Sequence, residues 1–322
     1  MGDRTLERSG GNSFWPATVL LAISLFLPGF VPGFGWLTFV IPAIGGYLLL
    51  VNGTRRGLTG MAQATLVAGA AAMAGGGAGH FLFSCTFLPA AALLARSMAR
   101  HDPPWKAGAV ALATIVCGWL LLTLVAGLVL GINPYTETMA AIDTGIGEAA
   151  AYYKQHADLS EKLRAEGGDL LEWMRRVARL IFPSVLFASL LTTVWGNLLL
   201  LQAVLKRKAP LHQPWPPFID WRLPEATVWG LIASGVLALL PAPLKPAGIN
   251  GVIVFATLYF FQGLAVAGTL FSRWSIPTLL RYILYALLLL QAYGLLFTAV
   301  LGLIDIWAPF KKTGEASPPP NA

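Results

Sequence analysis

Few side chains inside the apolar stretches of this 322-residue chain could do chemistry, and most of them are uncharged amides. Gln63, Asn197, Gln202, Asn250, Gln262 and Gln291 lie within apolar runs, with His80, Arg273, Arg281 and Asp305 near the ends of such runs. A carboxamide both donates and accepts hydrogen bonds without carrying charge, so several of them facing one cavity would suit an uncharged or weakly charged polar ligand. The same amide can instead bridge to a neighbouring helix in lipid, a contact worth about 1 kcal/mol or less. Asn197, Gln262 and Gln291 fall on three separate apolar segments and, with Asn250, form the candidate ligand-binding set. Arg273 and Arg281 bracket a short turn at Ser275 and Pro277, and snorkelling to the membrane surface explains both.

Catalytic patterns are absent from the sequence. There is no H-E-x-x-H, no G-x-S-x-G, no Walker A and no cysteine pair at metal spacing, so the expectation is a non-enzyme with no cofactor and no metal. The glycines at 75, 76, 77 and 79 are followed by His80 rather than Lys-Ser/Thr, and no strand precedes them, so they read as a tight turn. Cys85 and Cys117 lie in apolar runs and read as small buried hydrophobes. His101-Asp102 stands in a basic loop before two prolines and reads as solvated.

The elements that must position these groups follow from composition. Hydrophobic residues make up 56% and charged residues 11% of the chain, against about 45–50% and about 25% in ordinary globular domains. The mean hydropathy of +0.67 has the same sign. Such an apolar excess cannot be folded inside a water-facing surface, so the chain is an all-α, polytopic membrane protein in a lipid bilayer. A cytosolic enzyme and a nucleic-acid-binding domain are thereby excluded, and the net charge of +7 reads as Lys/Arg retained on cytoplasmic loops.

A bilayer core of about 30 Å needs about 20 apolar residues in helix. Runs near that length fall at about 15–31, 36–51, 58–78, 81–97, 107–130, 180–205, 226–241, 248–272 and 277–307, which predicts eight or nine spans, the first, second and seventh being short. With the N-terminus inside, the short cytoplasmic loops receive most of the Lys and Arg, which fits a multi-pass protein of the cell membrane. The expected order is a cytoplasmic segment at 1–14, a transmembrane bundle of about five spans at 15–130, an amphipathic helical loop at 131–179, a second bundle of about four spans at 180–310, and a disordered tail at 311–322.

Two loops stand apart. Residues 136–179 hold eight of the 15 acids, and Met139, Ile142, Ile146 and Tyr153 recur at helical spacing. Gly167-Gly168 is expected to break this helix. Asp169 and Glu172 then form a capping box that opens the next one, giving an extracytoplasmic helical hairpin, and Pro183 is expected to kink its second helix. The loop at 206–225 begins Lys206-Arg207-Lys208 and continues with Pro210, Pro214, Pro216 and Pro217, which forbid regular helix, while Trp215 and Trp221 suit the headgroup layer.

Gly60, Ala64, Ala68, Ala72 and Gly76 are small residues four apart on the third span. Such a stripe lets helix backbones approach closely in lipid, either inside the molecule or as a docking face for another membrane subunit.

The C-terminal half carries WRLPE at 221–225, LYFFQGLAV at 258–266 and LGLIDIWAPFKK at 301–312, with Pro183 leading an apolar run to Asn197. In these stretches the chain resembles the YybS-like bacterial membrane proteins, a family of unknown function. That family is similar, distantly, to the substrate-binding S components of energy-coupling-factor vitamin transporters. The resemblance implies capture of a small ligand and docking on a partner membrane subunit driven by a transporter ATPase module, with the Gly/Ala stripe as the docking face. The function expected is a transporter-like substrate-binding membrane subunit. The alternative is a non-catalytic membrane scaffold or regulator that binds protein partners through 131–179 and 206–225.

Overall fold

A computed structural model describes residues 4–131, 133–156, 161–208 and 215–308, with side chains for all of these except 4–13, 32, 153–169 and 292. The tail at 311–322, the prolines Pro210 and Pro214, and Asp158 lie outside the described residues, as do the side chains of Tyr153 and Asp169. Among the described residues the secondary structure is helical throughout, with no strand. The chain divides into two compact units, Met1–Trp215 and Pro216–Ala322.

In the first unit, α1 (Arg4–Phe26) leads through two 3-10 stretches, Leu27–Gly29 and Pro32–Val40, into α2 (Ile41–Asn52). Then come α3 (Thr54–Gly75), α4 (Ala78–Cys85), α5 (Leu88–Ala99), α6 (Pro104–Leu130), α7 (Pro134–His156) and α8 (Glu161–Lys208). The short helix α2 is the hub: it packs against α1, α3, α5 and α8 and buries eight of its 12 residues. Its small residues allow this, because a Cβ on Gly45 would stand 2.7 Å from the Ala91 Cβ of α5. The glycine run at 75–77 is the turn read from sequence. Gly76 caps α3 with φ of 82°, its N–H donating to Ala72 O, a left-handed cap that glycine adopts at little cost.

α8 departs from expectation. No break occurs at Gly167-Gly168, and Asp169 and Glu172 do not open a new helix, because one helix of 48 residues runs from Glu161 to Lys208. Two glycines cost a helix about 1 kcal/mol each, and the flanking Glu, Lys, Leu, Arg and Ala residues oppose that cost as good helix formers. At 1.5 Å per residue α8 is about 72 Å long, more than twice the bilayer core. Its first half lies antiparallel to α7. Asp143 on α7 pairs with Arg179 at 2.5 Å and reaches Arg175 at 4.0 Å, and Tyr135 meets Phe182 edge-on.

The second unit holds a 3-10 turn at Phe218–Asp220, then α9 (Thr227–Leu239), α10 (Leu244–Arg273), α11 (Thr278–Leu290) and α12 (Ala292–Ile304). α10 is its axis, packed on both α9 and α12. The chain from 219 to 238 descends along it in order. Ile219 lies at Thr269, Leu223 at Gln262 and Thr227 at Tyr259, after which Gly230 meets Phe255, Ser234 meets Gly251 and Ala238 meets Gly248. From Thr269 to Gly248 is about 32 Å along a helix. Along α10, α9 covers the lower part of this stretch, and the backbone of 216–226 covers the rest.

By length and composition, six described helices could cross a membrane: Gly33–Asn52, Thr54–Gly75, Ala78–Ala99, Pro104–Leu130, Leu170–Lys208 and Leu244–Arg273. A seventh is counted if Thr278–Leu290 and Tyr293–Ile304 are one span, bent by 104°. Of the eight or nine runs read from sequence, Phe14–Gly29 and Thr227–Leu239 are shorter apolar helices, and the run at 277–307 is not one straight helix.

Two smaller expectations are corrected. Cys117 is exposed rather than buried, because the outer face of α6 has no neighbour there. Trp215 and Trp221 are buried, 5% and 4% exposed. Their indole N–H groups serve as donors, Trp215 to Asp102 O and Trp221 to Pro216 O. Both indoles thus turn inward onto backbone carbonyls of loop residues.

Candidate functional site

The second unit knots its irregular backbone at Gln262. This side chain is 5% exposed on α10. Its Oε1 accepts the Leu223 N–H at 3.1 Å, and its Nε2 donates to Asp305 Oδ2 at 3.1 Å. One turn away, the hydroxyls of Tyr259 and Thr227 pair at 3.0 Å. The local sequence explains why. Pro216, Pro217 and Pro224 prevent a helix, so the N–H of Leu223 has no ladder partner, and buried backbone groups are rarely left unpaired. α12 brings Asp305 to this place because its backbone touches that of α10. A Cβ on Gly263 would lie 1.8 Å from Thr298 O, and one on Gly302 would lie 2.0 Å from Tyr259 O. Only glycine permits that approach. The residues 221–225, 258–266 and 301–305 quoted above thus meet in one place.

Chemically, the knot is an amide bridging a backbone donor and a carboxyl group that is 3% exposed. A carboxylate removed from water is expensive unless paired or hydrogen-bonded, and acids at membrane depth are commonly tied to ligand, ion or proton handling. Among the described residues, no three His, Cys, Asp or Glu side chains gather so as to hold a metal ion.

Asn197 is a second amide knot, wholly inside the first unit and 2% exposed. Its Oδ1 accepts the Ala43 N–H at 2.7 Å, and its Nδ2 donates to Phe39 O at 2.5 Å and Thr193 O at 2.7 Å. Ala43 stands in the first turn of α2, whose own N-cap Val40 provides no side-chain cap. Helix starts leave N–H groups without partners, and here the cap arrives from α8. Both amide protons of Asn197 are thereby engaged.

The other candidates are placed differently. Asn250 donates to Pro246 O on its own helix and stands 12 residues, about 18 Å, from Gln262 along α10. Gln291 is exposed at the bend between α11 and α12. Gln202 donates to Trp215 O, and Gln63 is exposed on α3. Within the second unit, the structure does not bring Gln262, Gln291 and Asn250 to one cavity. In the stripe on α3, Gly60, Ala64, Ala68 and Ala72 are buried inside the first unit, where α3 packs on α1 and α2. Gly60 abuts Phe14 and Thr18. Gly76 is the turn residue described above.

Sequence reasoning missed Asp102. Its carboxylate binds Lys106 at 2.7 Å and Ser97 at 2.8 Å, and its carbonyl receives Trp215. The Lys106 and Ser97 hydrogen bonds hold this carboxyl below the usual aspartate range. An acid four residues before a Lys was the available signal.

Comparison with known proteins is consistent with this architecture. No curated protein and no solved structure matches the chain. A family model described as predicted membrane protein (DUF2232) matches residues 19–306, and this chain is accordingly a member of the DUF2232 family of predicted membrane proteins.

Proposed function

We propose that this protein is a multi-pass, transporter-like membrane subunit that binds a small polar ligand without catalysis. The observation that carries this reading is the Gln262–Asp305 pair set against the non-helical backbone at Leu223. Non-helical backbone at membrane depth persists where protein buries it or where it lines a cavity, and interrupted helices mark the binding sites of many transporters. The second unit has two such interruptions, 216–226 and the bend at Gln291. The argument from transporters is one of analogy, joined to the resemblance to S components. Gln262 and Asp305 are the residues on which we place the ligand.

The topology proposed is N-terminus inside in a cell membrane, with nine crossing segments. Three of these are incomplete as helices: α1 with its 3-10 extension, 216–239, and α11–α12. In support, Gly57 lies on Leu49 and Gly46 on Leu201, while Trp215 binds the 102–106 turn. These contacts bring Arg55, Arg56, Arg100, Lys106 and Lys206 to one end of the first unit, the end a positive-inside bias assigns to the cytoplasm. The first part of α8 and α7 would then stand on the opposite face as the extracytoplasmic hairpin. The scaffold reading gains less support, because Asp143 of that hairpin is already matched by Arg179 and Arg175.

The test is a thermal-shift screen of the full chain in detergent against vitamins, nucleobases and amino acids, run on wild type and on Gln262→Leu. A binding compound raises the wild-type midpoint, and the variant weakens it about 5- to 150-fold through lost hydrogen bonds. If no compound moves the wild-type midpoint, the binding-subunit reading fails and the scaffold reading takes its place.

A further inference from the structure

The turn between α2 and α3 opens into a cavity of about 620 Å³ lined by Phe14, Asn52, Thr54, Arg55, Thr59 and Gln63, with Arg56 at its edge. Neither arginine has an acid within ion-pair range among the described residues. Arg56 instead lies over the Phe14 ring, 4.9 Å from its centre. Two guanidinium groups without an acid partner among the described residues, side by side at a cavity, suit an anion.

A second observation, independent of the charges, says what kind of anion. Arg55, Thr59 and Gln63 succeed one another at four-residue steps on the exposed face of α3, and Leu66 and Val67 continue the same face at 74% and 62% exposure. The stripe runs from cation to hydroxyl to amide to bare aliphatic over about three turns, and side chains at such spacing form one ridge. That is the polarity gradient of a phospholipid, from phosphate through glycerol esters to acyl chain. It also accounts for Gln63. An outward-facing amide within an apolar span has no partner among the described residues, and ester carbonyls of a lipid would accept its N–H. A soluble phosphate would use the top of this ridge and leave the lower part unexplained.

We propose that the α2–α3 turn is a site for one anionic phospholipid, its phosphate between Arg55 and Arg56 and its acyl chain along Leu66 and Val67. The experiment uses the full chain, delipidated in detergent. It is titrated with phosphatidylglycerol, with phosphatidylcholine of the same chains, and with glycerol 1-phosphate as the soluble headgroup. Native mass spectrometry counts bound lipid and thermal shift reads affinity. One phosphatidylglycerol binds, and phosphatidylcholine and glycerol phosphate bind at least about fivefold more weakly. Arg55→Gln costs about fivefold in phosphatidylglycerol affinity, the worth of one surface arginine against an anionic headgroup. Its side chain is exposed and makes no hydrogen bond or ion pair among the described residues. Gln63→Leu, which leaves every charge in place, lowers retention of both lipids. Arg100→Gln, at the same basic end, changes neither. Equal stabilisation by glycerol phosphate would overturn the lipid assignment in favour of a soluble anion. Equal binding of the two lipids, or an Arg55→Gln variant with unchanged affinity, would remove the site.

Discussion

Asn197 in the first unit and Gln262 in the second are amides of nearly equal burial, and each ties backbone that has left the helix. Asn197 bonds only neutral backbone: one N–H at the start of α2 and two carbonyls. Gln262 has one hand on a backbone N–H and the other on the carboxyl of Asp305. The first arrangement is a cap delivered from a distance, saturated and chemically inert. The second leaves an ionisable group in the knot, so its strength depends on what that group holds. The two amides thus differ in their partners, not in their burial.

The largest expected effect is at Asn197. Replacement by Leu orphans the Ala43 N–H and the Phe39 carbonyl, at about 1–3 kcal/mol each, or about 2–6 kcal/mol together. Thermal unfolding of the full chain in detergent reads this directly, and an unchanged midpoint would remove the capping side of the comparison. Gln262→Leu should cost less, about 1–3 kcal/mol for the Leu223 N–H, but it should also free the extended segment. Limited proteolysis would show faster cutting within 218–225. Cutting at the wild-type rate would make Gln262 no different in kind from Asn197.

Ala68→Leu sharpens the comparison from the packing side. Ala68 is 0% exposed, and overpacking there should cost about 1–3 kcal/mol in the isolated chain. A variant with an unchanged midpoint that loses a co-purifying membrane protein would restore the docking face. The smallest effect belongs to Asp102, the ionised counterpart of these neutral knots. Because the folded state holds its carboxyl below 3.8, its contribution is present above that pH and is lost as pH falls through the lowered value. Asp102→Asn should lower the midpoint slightly at neutral pH, where the carboxylate contributes, converge with wild type in acid, and so flatten that acid limb. An acid limb of wild-type shape in the variant would show that the Lys106 and Ser97 bonds do not stabilise the fold.

What could be read from the chain beforehand was whatever depends on neighbours in sequence. The helical class followed from apolar excess, the Gly75–Gly77 turn from three adjacent glycines, and the α3 stripe from a period of four. What could not be read depends on partners far away in the chain. Asn197 announces nothing of Ala43, 154 residues earlier, nor Trp215 of Asp102, 113 residues earlier. The candidate cavity failed to assemble in the second unit for the same reason: being on an apolar run does not say which way an amide points. Gly167-Gly168 misled because local propensity is a weak prior in a long helix whose neighbours favour continuation.

On the proposed topology, in which 216–239 crosses the membrane, that half-helical segment also bears on how the protein is made. A translocon weighs each emerging stretch by its own hydrophobicity, and 13-residue α9 preceded by proline-rich, arginine-bearing chain is a poor client. It becomes acceptable once α10 has arrived to receive the backbone of 216–226. On that topology, insertion of the second unit is expected to be order-dependent, with α9 held at the membrane surface until its successor enters. A chain released by the ribosome after residue 243 would leave that segment stranded outside the bilayer, a ready substrate for quality-control proteases.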